Sequence, residues 1–228
     1  MNKQAKKIAK KIVKKKMKKV LKKKIKMPGT VKNKQTAAKE KVVVCFDCQT
    51  AKTPVGDVKI IAYQNKIVAV VFASGYESAK NYLTKQAHLL ISGQIGSAKK
   101  SNKMDLTQVL FVEKSSNVLL ETKKQLQQYF SHQRTKFQIP LLLLGTNFQK
   151  SVWQALNQIP FGKTISYQSQ AQEIKKPTAV RAVGRTNGLN PICIILPCHR
   201  VIGKSGKLTG YAGGLHIKEF LLAHEGKC

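Results

Sequence analysis

The sequence predicts an α/β N-terminal domain followed by a mainly α C-terminal domain with a helix-turn-helix, preceded by a disordered basic tail. Three observations predict this order. Residues 1–41 hold 18 lysines, one acid (Glu40) and no aromatic residue. From Val42 the chain changes to β-branched runs divided by turn residues and followed by helical periodicity. From Gly145 it becomes a series of short segments with helix-start residues in front and Pro or Gly behind.

The whole chain has 228 residues, 42 Lys+Arg against 10 Asp+Glu and a formal charge of +32. That excess points to a polyanion, most often nucleic acid and less often an anionic membrane face. A hydrophobic content of 42 % excludes a wholly disordered basic protein, and the length suits one medium domain or two small ones. No apolar run is long enough to span a bilayer, and no continuous apolar block follows the first lysines, so neither a membrane protein nor a secretory signal is expected. Five irregularly placed cysteines do not make a disulfide framework. The expected location is intracellular, cytoplasmic or wherever DNA is held.

In the tail, Ile8, Ile12, Val13, Val20, Leu21 and Ile25 recur at helical spacing up to Met27-Pro28-Gly29. Lysines repelling one another at i,i+4 disfavour that helix in water, whereas a polyanion would neutralise them. A solvated extension and a nucleic-acid-tethering arm both fit this pattern. A membrane-surface segment fits less well, and an organellar leader is disfavoured because arginine and serine are lacking.

The domain at 42–140 opens with Val42-Val43-Val44, and Thr53-Pro54-Val55-Gly56 is a turn signal. Val58–Tyr63 and Ile67–Phe72 flank Gln64-Asn65-Lys66 as a hairpin. Glu77–Ile91 and Asn117–Phe130 read as helices, the second with Leu119, Leu120, Leu126, Tyr129 and Phe130 as its apolar face. Cys45-Phe46-Asp47-Cys48 reads as two thiols on a strand, because no second Cys/His pair follows at zinc-site spacing. No metal or cofactor is expected.

The domain at 145–228 holds 11 Lys+Arg against 3 Glu. Thr146-Asn147-Phe148-Gln149 has the form of a capping box opening a helix through Leu156. Ser166 is placed to cap a second helix over Tyr167–Ile174. Lys175-Lys176-Pro177 is a turn, and a third helix is expected over Pro177–Asn187, ending at Gly188. Two short helices joined by a basic turn make a helix-turn-helix. Its second helix sets Arg181 and Arg185 among small residues that permit close approach to a duplex, with Lys176 and Thr178 at its start.

Leu196-Pro197-Cys198-His199-Arg200-Val201 is the most informative stretch. A thiol beside an imidazole, after the apolar run Ile192–Leu196, reads as an activated nucleophile, since the thiolate is the reactive form. A buried packing cysteine is the competing reading, and the dipeptide alone does not decide between them.

The surrounding motifs do. Asn190-Pro191, Pro197–Gly203, Gly210-Tyr211-Ala212-Gly213-Gly214-Leu215 and Leu221–Gly226 follow Phe148-Gln149, Val152-Trp153, Gly162-Lys163-Thr164, Ser166-Tyr167 and Ala179–Gly184 in order. Together they resemble the O6-alkylguanine-DNA alkyltransferase family, strongly over 145–226 and weakly over 53–140. The resemblance implies single-turnover transfer of the alkyl group from O6-alkylguanine to Cys198, with the base flipped out through the minor groove of double-stranded DNA by a monomer. It also implies His199 as the base, Glu225 as the carboxylate orienting it, and Asn190 tying the turn to the site. Tyr167, Tyr211, Ala212, Val201 and Cys193 would contact the substrate, and Arg181, Arg185, Thr178 and Lys176 the DNA. Arg181 would fill the space left in the stack. Gln170 stands where the family usually has an apolar residue, so burial would oblige it to find hydrogen-bond partners. Cys193 stands where many members have proline or alanine.

A DNA-binding protein without transfer activity is the alternative, with Cys198 only packing. A Cys-His-Glu hydrolase would need an oxyanion hole, and no motif marks one. Damage binders that lack the nucleophile are set apart from this chain by Cys198.

Overall fold

Short runs rich in β-branched residues build the first half of the fold. In the computed structural model, which describes residues 42–91 and 106–226, these runs form β1 (Val42–Ala51), β2 (Val58–Tyr63) and β3 (Lys66–Phe72). The tail expected at 1–41 lies outside the described residues. The β2–β3 turn uses only Gln64 and Asn65, both at positive φ (45° and 60°), so Lys66 belongs to the strand and not to the loop. A two-residue turn with both φ values positive matches the twist of the strands, and asparagine tolerates that conformation.

A helix, α1 (Tyr76–Ile91), then leads over to β4 (Leu106–Glu113). The sheet order is β3-β2-β1-β4, antiparallel except for the parallel β1–β4 pair. Strand alternation divides the core between two faces. Val44, Phe46 and Ile61 face Leu83 and Ala87 of α1. Ile60 and Ala62 face α2 (Asn117–Phe130) and the second half of the chain. On α2 the buried positions are Val118, Leu119, Thr122, Gln125, Leu126 and Tyr129. Leu120 is 51 % exposed, a correction to the expected apolar face, because it lies off the i, i+3, i+4 row that these residues define.

Cys45 and Cys48 take opposite faces of β1, Cys45 exposed and Cys48 buried. A spacing of three on a strand turns the two thiols away from each other.

The second half begins with α3 (Asn147–Leu156). Its capping box is formed as expected: Gln149 N donates to Thr146 Oγ1 at 3.2 Å, and Thr146 N donates to Gln149 Oε1 at 2.9 Å. α4 (Tyr167–Glu173) is capped by Ser166 Oγ, which accepts from Ser169 N at 3.0 Å. α5 spans Val180–Gly188, three residues later than expected. Pro177 falls in a turn closed by Ala179 N to Lys176 O at 2.9 Å, so its fixed φ serves the turn and not the first helical position. The fully buried Trp153 of α3 donates to Thr186 O at 3.0 Å and ties α3 to α5. α6 (Leu215–Glu225) closes the fold, after the short parallel pair β5 (Ile165–Ser166) and β6 (Val201–Ile202).

The outer edge of β3 holds two later segments of the chain, the connector before α3 and the stretch after α5. Ile67 N donates to Pro140 O and Leu142 N to Ile67 O, both at 2.8 Å. Farther along, Val70 N donates to Pro191 O and Cys193 N to Val70 O, also at 2.8 Å. The edge of the sheet thus anchors the segment that leads to Cys198. Among the described residues, no helix is long and apolar enough to cross a membrane.

Candidate active site

The reactive segment is built around Asn190, in the turn that ends α5. The buried Asn190 Oδ1 accepts from Ile192 N at 3.0 Å, and its Nδ2 donates to Leu196 O at 2.8 Å and to Cys198 Sγ at 3.2 Å. One side chain therefore closes the loop and touches the thiol. Inside that loop Ile194 adopts φ +71°, with Ile195 N donating back to Cys193 O at 2.8 Å. A β-branched residue at positive φ is strained, at a cost of about 1–3 kcal/mol. Burial of Ile192 through Leu196 and the bonds to β3 hold it there.

Cys198, His199 and Arg200 form one 3₁₀ turn, and all three are buried. His199 Nε2 lies 2.8 Å from Glu225 Oε1. Four further hydrogen bonds reach that carboxylate: Arg200 Nε to Oε2 at 2.8 Å, Arg200 Nη2 to Oε1 at 2.9 Å, Tyr129 Oη to Oε1 at 2.7 Å and Gly162 N to Oε2 at 3.2 Å. Burial opposes charge on Glu225, but the hydrogen bonds and charges of His199 and Arg200 outweigh it and hold the carboxyl far below its usual range. An ionised carboxylate only accepts, so the imidazole proton sits on Nε2 and Nδ1 keeps its lone pair. Nδ1 is buried and has no hydrogen-bond partner among the described residues.

Burial lowers the basicity of His199, Arg200 and Lys218 add to this effect, and Glu225 opposes it. Burial likewise pushes the Cys198 thiol up, against the Asn190 hydrogen bond and the Lys218 charge. The resting pair is thus a protonated thiol with a neutral imidazole next in sequence. Lys218 is fully buried, its ammonium donating to Val201 O at 2.7 Å and Thr209 O at 3.0 Å. It fixes the loop before α6 and supplies a positive charge toward the sulfur.

A cleft of about 490 Å³ brings together Tyr167, Arg181, Tyr211 and Ala212, with Gly184 and Gly188 of α5 in its wall. The Tyr211 hydroxyl is buried without a partner among the described residues. A second, apolar cavity of about 190 Å³ shares Gly188 and Ala212 with this cleft and is lined by Asn190 and Cys193. Gly213 closes the loop against the sheet: a Cβ there would lie 2.7 Å from the Phe72 ring, so no side chain fits.

The sequence-predicted residues therefore fall into groups. Asn190 is hydrogen-bonded to Cys198 and Glu225 to His199, and the two pairs meet where Cys198 and His199 adjoin in the 3₁₀ turn. Tyr167, Arg181, Tyr211 and Ala212 share the cleft. Cys193 is buried beside them, its thiol donating to Asn190 O at 3.7 Å. Val201 is fully buried in β6 and lines neither cavity, while Lys176, Thr178 and Arg185 are exposed around the start and the middle of α5. Gln170 is fully buried and satisfied: Nε2 donates to Val152 O at 3.0 Å, and Oε1 accepts from Asn187 Nδ2 at 2.6 Å. Sequence reasoning gave no role to Tyr129, Arg200, Lys218 or Gly162. Arg200 was visible inside the Pro-Cys-His-Arg motif. Gly162 was visible inside the Gly162-Lys163-Thr164 motif, while nothing local marks Tyr129 or Lys218.

Known proteins resemble this chain in sequence and in fold. Residues 147–227 match the family described as 6-O-methylguanine DNA methyltransferase, DNA binding domain. The methylated-DNA–protein-cysteine methyltransferase of Methanosarcina acetivorans is 56 % identical over 108 residues, 47 % of this chain and 69 % of that protein. The constitutive enzyme of Bacillus subtilis is 53 % identical over 105 residues, 46 % of this chain and 64 % of that protein. The crystal structure of Mycobacterium tuberculosis O6-methylguanine methyltransferase superposes with a TM-score of 0.62 at 34 % identity, covering 80 % of this chain and 93 % of that one. A structure of the M. tuberculosis protein in complex with DNA gives 0.58 at 34 % identity, covering 81 % and 94 %. Fold and site define a DNA-repair transferase in which a cysteine of the protein receives the alkyl group. The chain belongs to the methylated-DNA–protein-cysteine methyltransferase family.

Proposed function

We propose that Cys198 is the acceptor and that the substrate is O6-alkylguanine in double-stranded DNA, handled one molecule at a time by a monomer. The observation that carries this reading is the buried Asn190–Cys198 contact beside an imidazole whose Nε2 is committed to Glu225 and whose Nδ1 is free of partners among the described residues. His199 Nδ1 takes the thiol proton, through a water. The sulfur attacks the alkyl carbon, the carbon–O6 bond breaks, and the electron pair leaves with guanine. A hydrogen bond from the Tyr211 hydroxyl or the Ala212 N–H stabilises that leaving anion. A thioether on Cys198 has no residue here to cleave it, so each molecule acts once.

α4 and α5 serve as the helix-turn-helix and enter the minor groove. Arg181 fills the stack after the base is flipped into the cleft beside Tyr167, while Lys176, Thr178 and Arg185 contact the backbone. Val201 and Cys193 support the substrate pocket. Residues 145–228 form the reacting domain, residues 42–140 the domain that braces it, and the +17 charge of residues 1–41 adds affinity for DNA, wherever in the cell it is held.

The test is intact-mass and peptide mass spectrometry after incubation with a duplex containing O6-methylguanine. One methyl on the peptide bearing Cys198 is expected, and none with Cys198→Ser, which should still bind DNA. An unlabelled wild-type protein would overturn the reading. Arg181→Ala should impair repair of duplex more than reaction with the free base, and equal losses would remove Arg181 from base flipping.

A further inference from the structure

Tyr129 lies outside every motif that marks the reactive segment, yet its hydroxyl reaches the middle of it. The ring is fully buried on α2, packed against Phe137, Phe161 and His224. Its carbonyl is 2.9 Å from His224 Nε2, so backbone and ring are both fixed. The hydroxyl donates to Glu225 Oε1 at 2.7 Å, the oxygen that also faces His199 Nε2 at 2.8 Å and Arg200 Nη2 at 2.9 Å.

We propose that Tyr129 is a positioning residue for alkyl transfer: by sharing Oε1 of Glu225 with His199, it limits how strongly the carboxylate draws charge onto the imidazole. This rests on the roles given above to Cys198 and His199. A hydrogen bond donated to a carboxylate drains negative charge from the accepting oxygen, and its neighbour on that oxygen is held less tightly. The charged and titratable groups facing His199 are Glu225, Arg200, Lys218 and Tyr211. Those facing Tyr129 are Glu225, Arg200, Tyr211 and His224. Burial above all, and Arg200 and Lys218 with it, disfavour a charged imidazole, and Glu225 alone favours it. The number of donors on Glu225 therefore sets the balance, and Tyr129 is the donor that comes from the first half of the chain.

The experiment measures single-turnover methyl transfer from an O6-methylguanine duplex to Cys198 across the acidic limb of the pH profile, using the full chain. Tyr129→Phe keeps the ring and removes the donor. Glu225 then pulls harder on the imidazole proton, and the limb should move up by about one pH unit. A ring-difluorinated tyrosine at position 129 donates more strongly in the same shape, and should move the limb down. This second variant carries the test if the phenylalanine variant fails to fold. A lower rate with an unmoved limb in the variants is what pure packing would give, and it overturns the proposal. Failure of the wild-type protein to label Cys198 at all is a different result, which removes the functional reading and this inference with it.

Discussion

Glu225 accepts from Nε2 of His199 at 2.8 Å, and that single contact decides which imidazole nitrogen can serve as a base. The carboxylate is ionised and wholly an acceptor, so the proton stays on Nε2. Every step assigned to the thiol depends on the lone pair this leaves on Nδ1.

Replacing the carboxylate by an amide tests that dependence. Glu225→Gln keeps the shape, but its amide can donate to Nε2 and move the imidazole proton to Nδ1. Transfer should slow by about 100-fold or more, the usual worth of a general base. The same change strands the buried Arg200 guanidinium, so urea unfolding should show a loss of about 3–5 kcal/mol. A near-wild-type transfer rate would mean that the carboxylate does not orient the base.

Stability should fall as pH is lowered. His199 has its folded pKa below the unfolded value, so the unfolded chain takes up its proton first. Its contribution is complete above about pH 6.5 and shrinks as pH drops toward the folded value. Glu225 is also depressed, so its contribution is present above about pH 4.3 and is lost below that as pH falls toward the folded value. Urea midpoints should therefore decline in two stages, one just below neutrality and one in the acid range. His199→Gln should flatten the first stage and shrink the second without abolishing it, because Arg200 still holds the Glu225 carboxyl down.

The Gln170–Asn187 pair gives a test away from the chemistry. Gln170→Leu leaves the Asn187 amide and the Val152 carbonyl without their partner and should cost about 1–3 kcal/mol in thermal or urea unfolding. Adding Asn187→Leu removes the stranded amide and should recover part of that loss. A single variant as stable as the parent would show that this buried amide pair contributes nothing net.

Features decided by neighbouring residues were legible in the sequence. The Thr146–Gln149 capping box, the Ser166 cap and the β2–β3 hairpin each rest on a few adjacent side chains and form as read, save that Lys66 joins the strand and shortens the hairpin loop to two residues. The Cys198 segment was legible because its motifs come in a fixed order. Features decided by distant partners were not. Leu106–Glu113 becomes a strand through parallel pairing with β1, a partner some sixty residues away across α1. Leu120 belongs to an apolar-looking run, and only the row of α2 that packs on the sheet, Leu119, Thr122, Leu126 and Tyr129, leaves it outside. Pro177 satisfies a helix-start rule and a turn rule equally well, and the Lys176–Ala179 hydrogen bond decides for the turn. Tyr129 meets Glu225 across 96 positions, a distance at which no local pattern gives notice.

The two pairs of backbone hydrogen bonds along β3 limit how this protein can be divided or altered. A fragment starting at Gly145 would keep the nucleophile but lose the strand that holds Pro191 and Cys193 in place, along with the phenol on Glu225. Sliding β3 by one position would reverse Val70 and detach the segment without touching any residue of the repair half. Damage to an ordinary-looking hairpin strand would thus silence the protein, and a screen confined to the motifs around Cys198 would miss it.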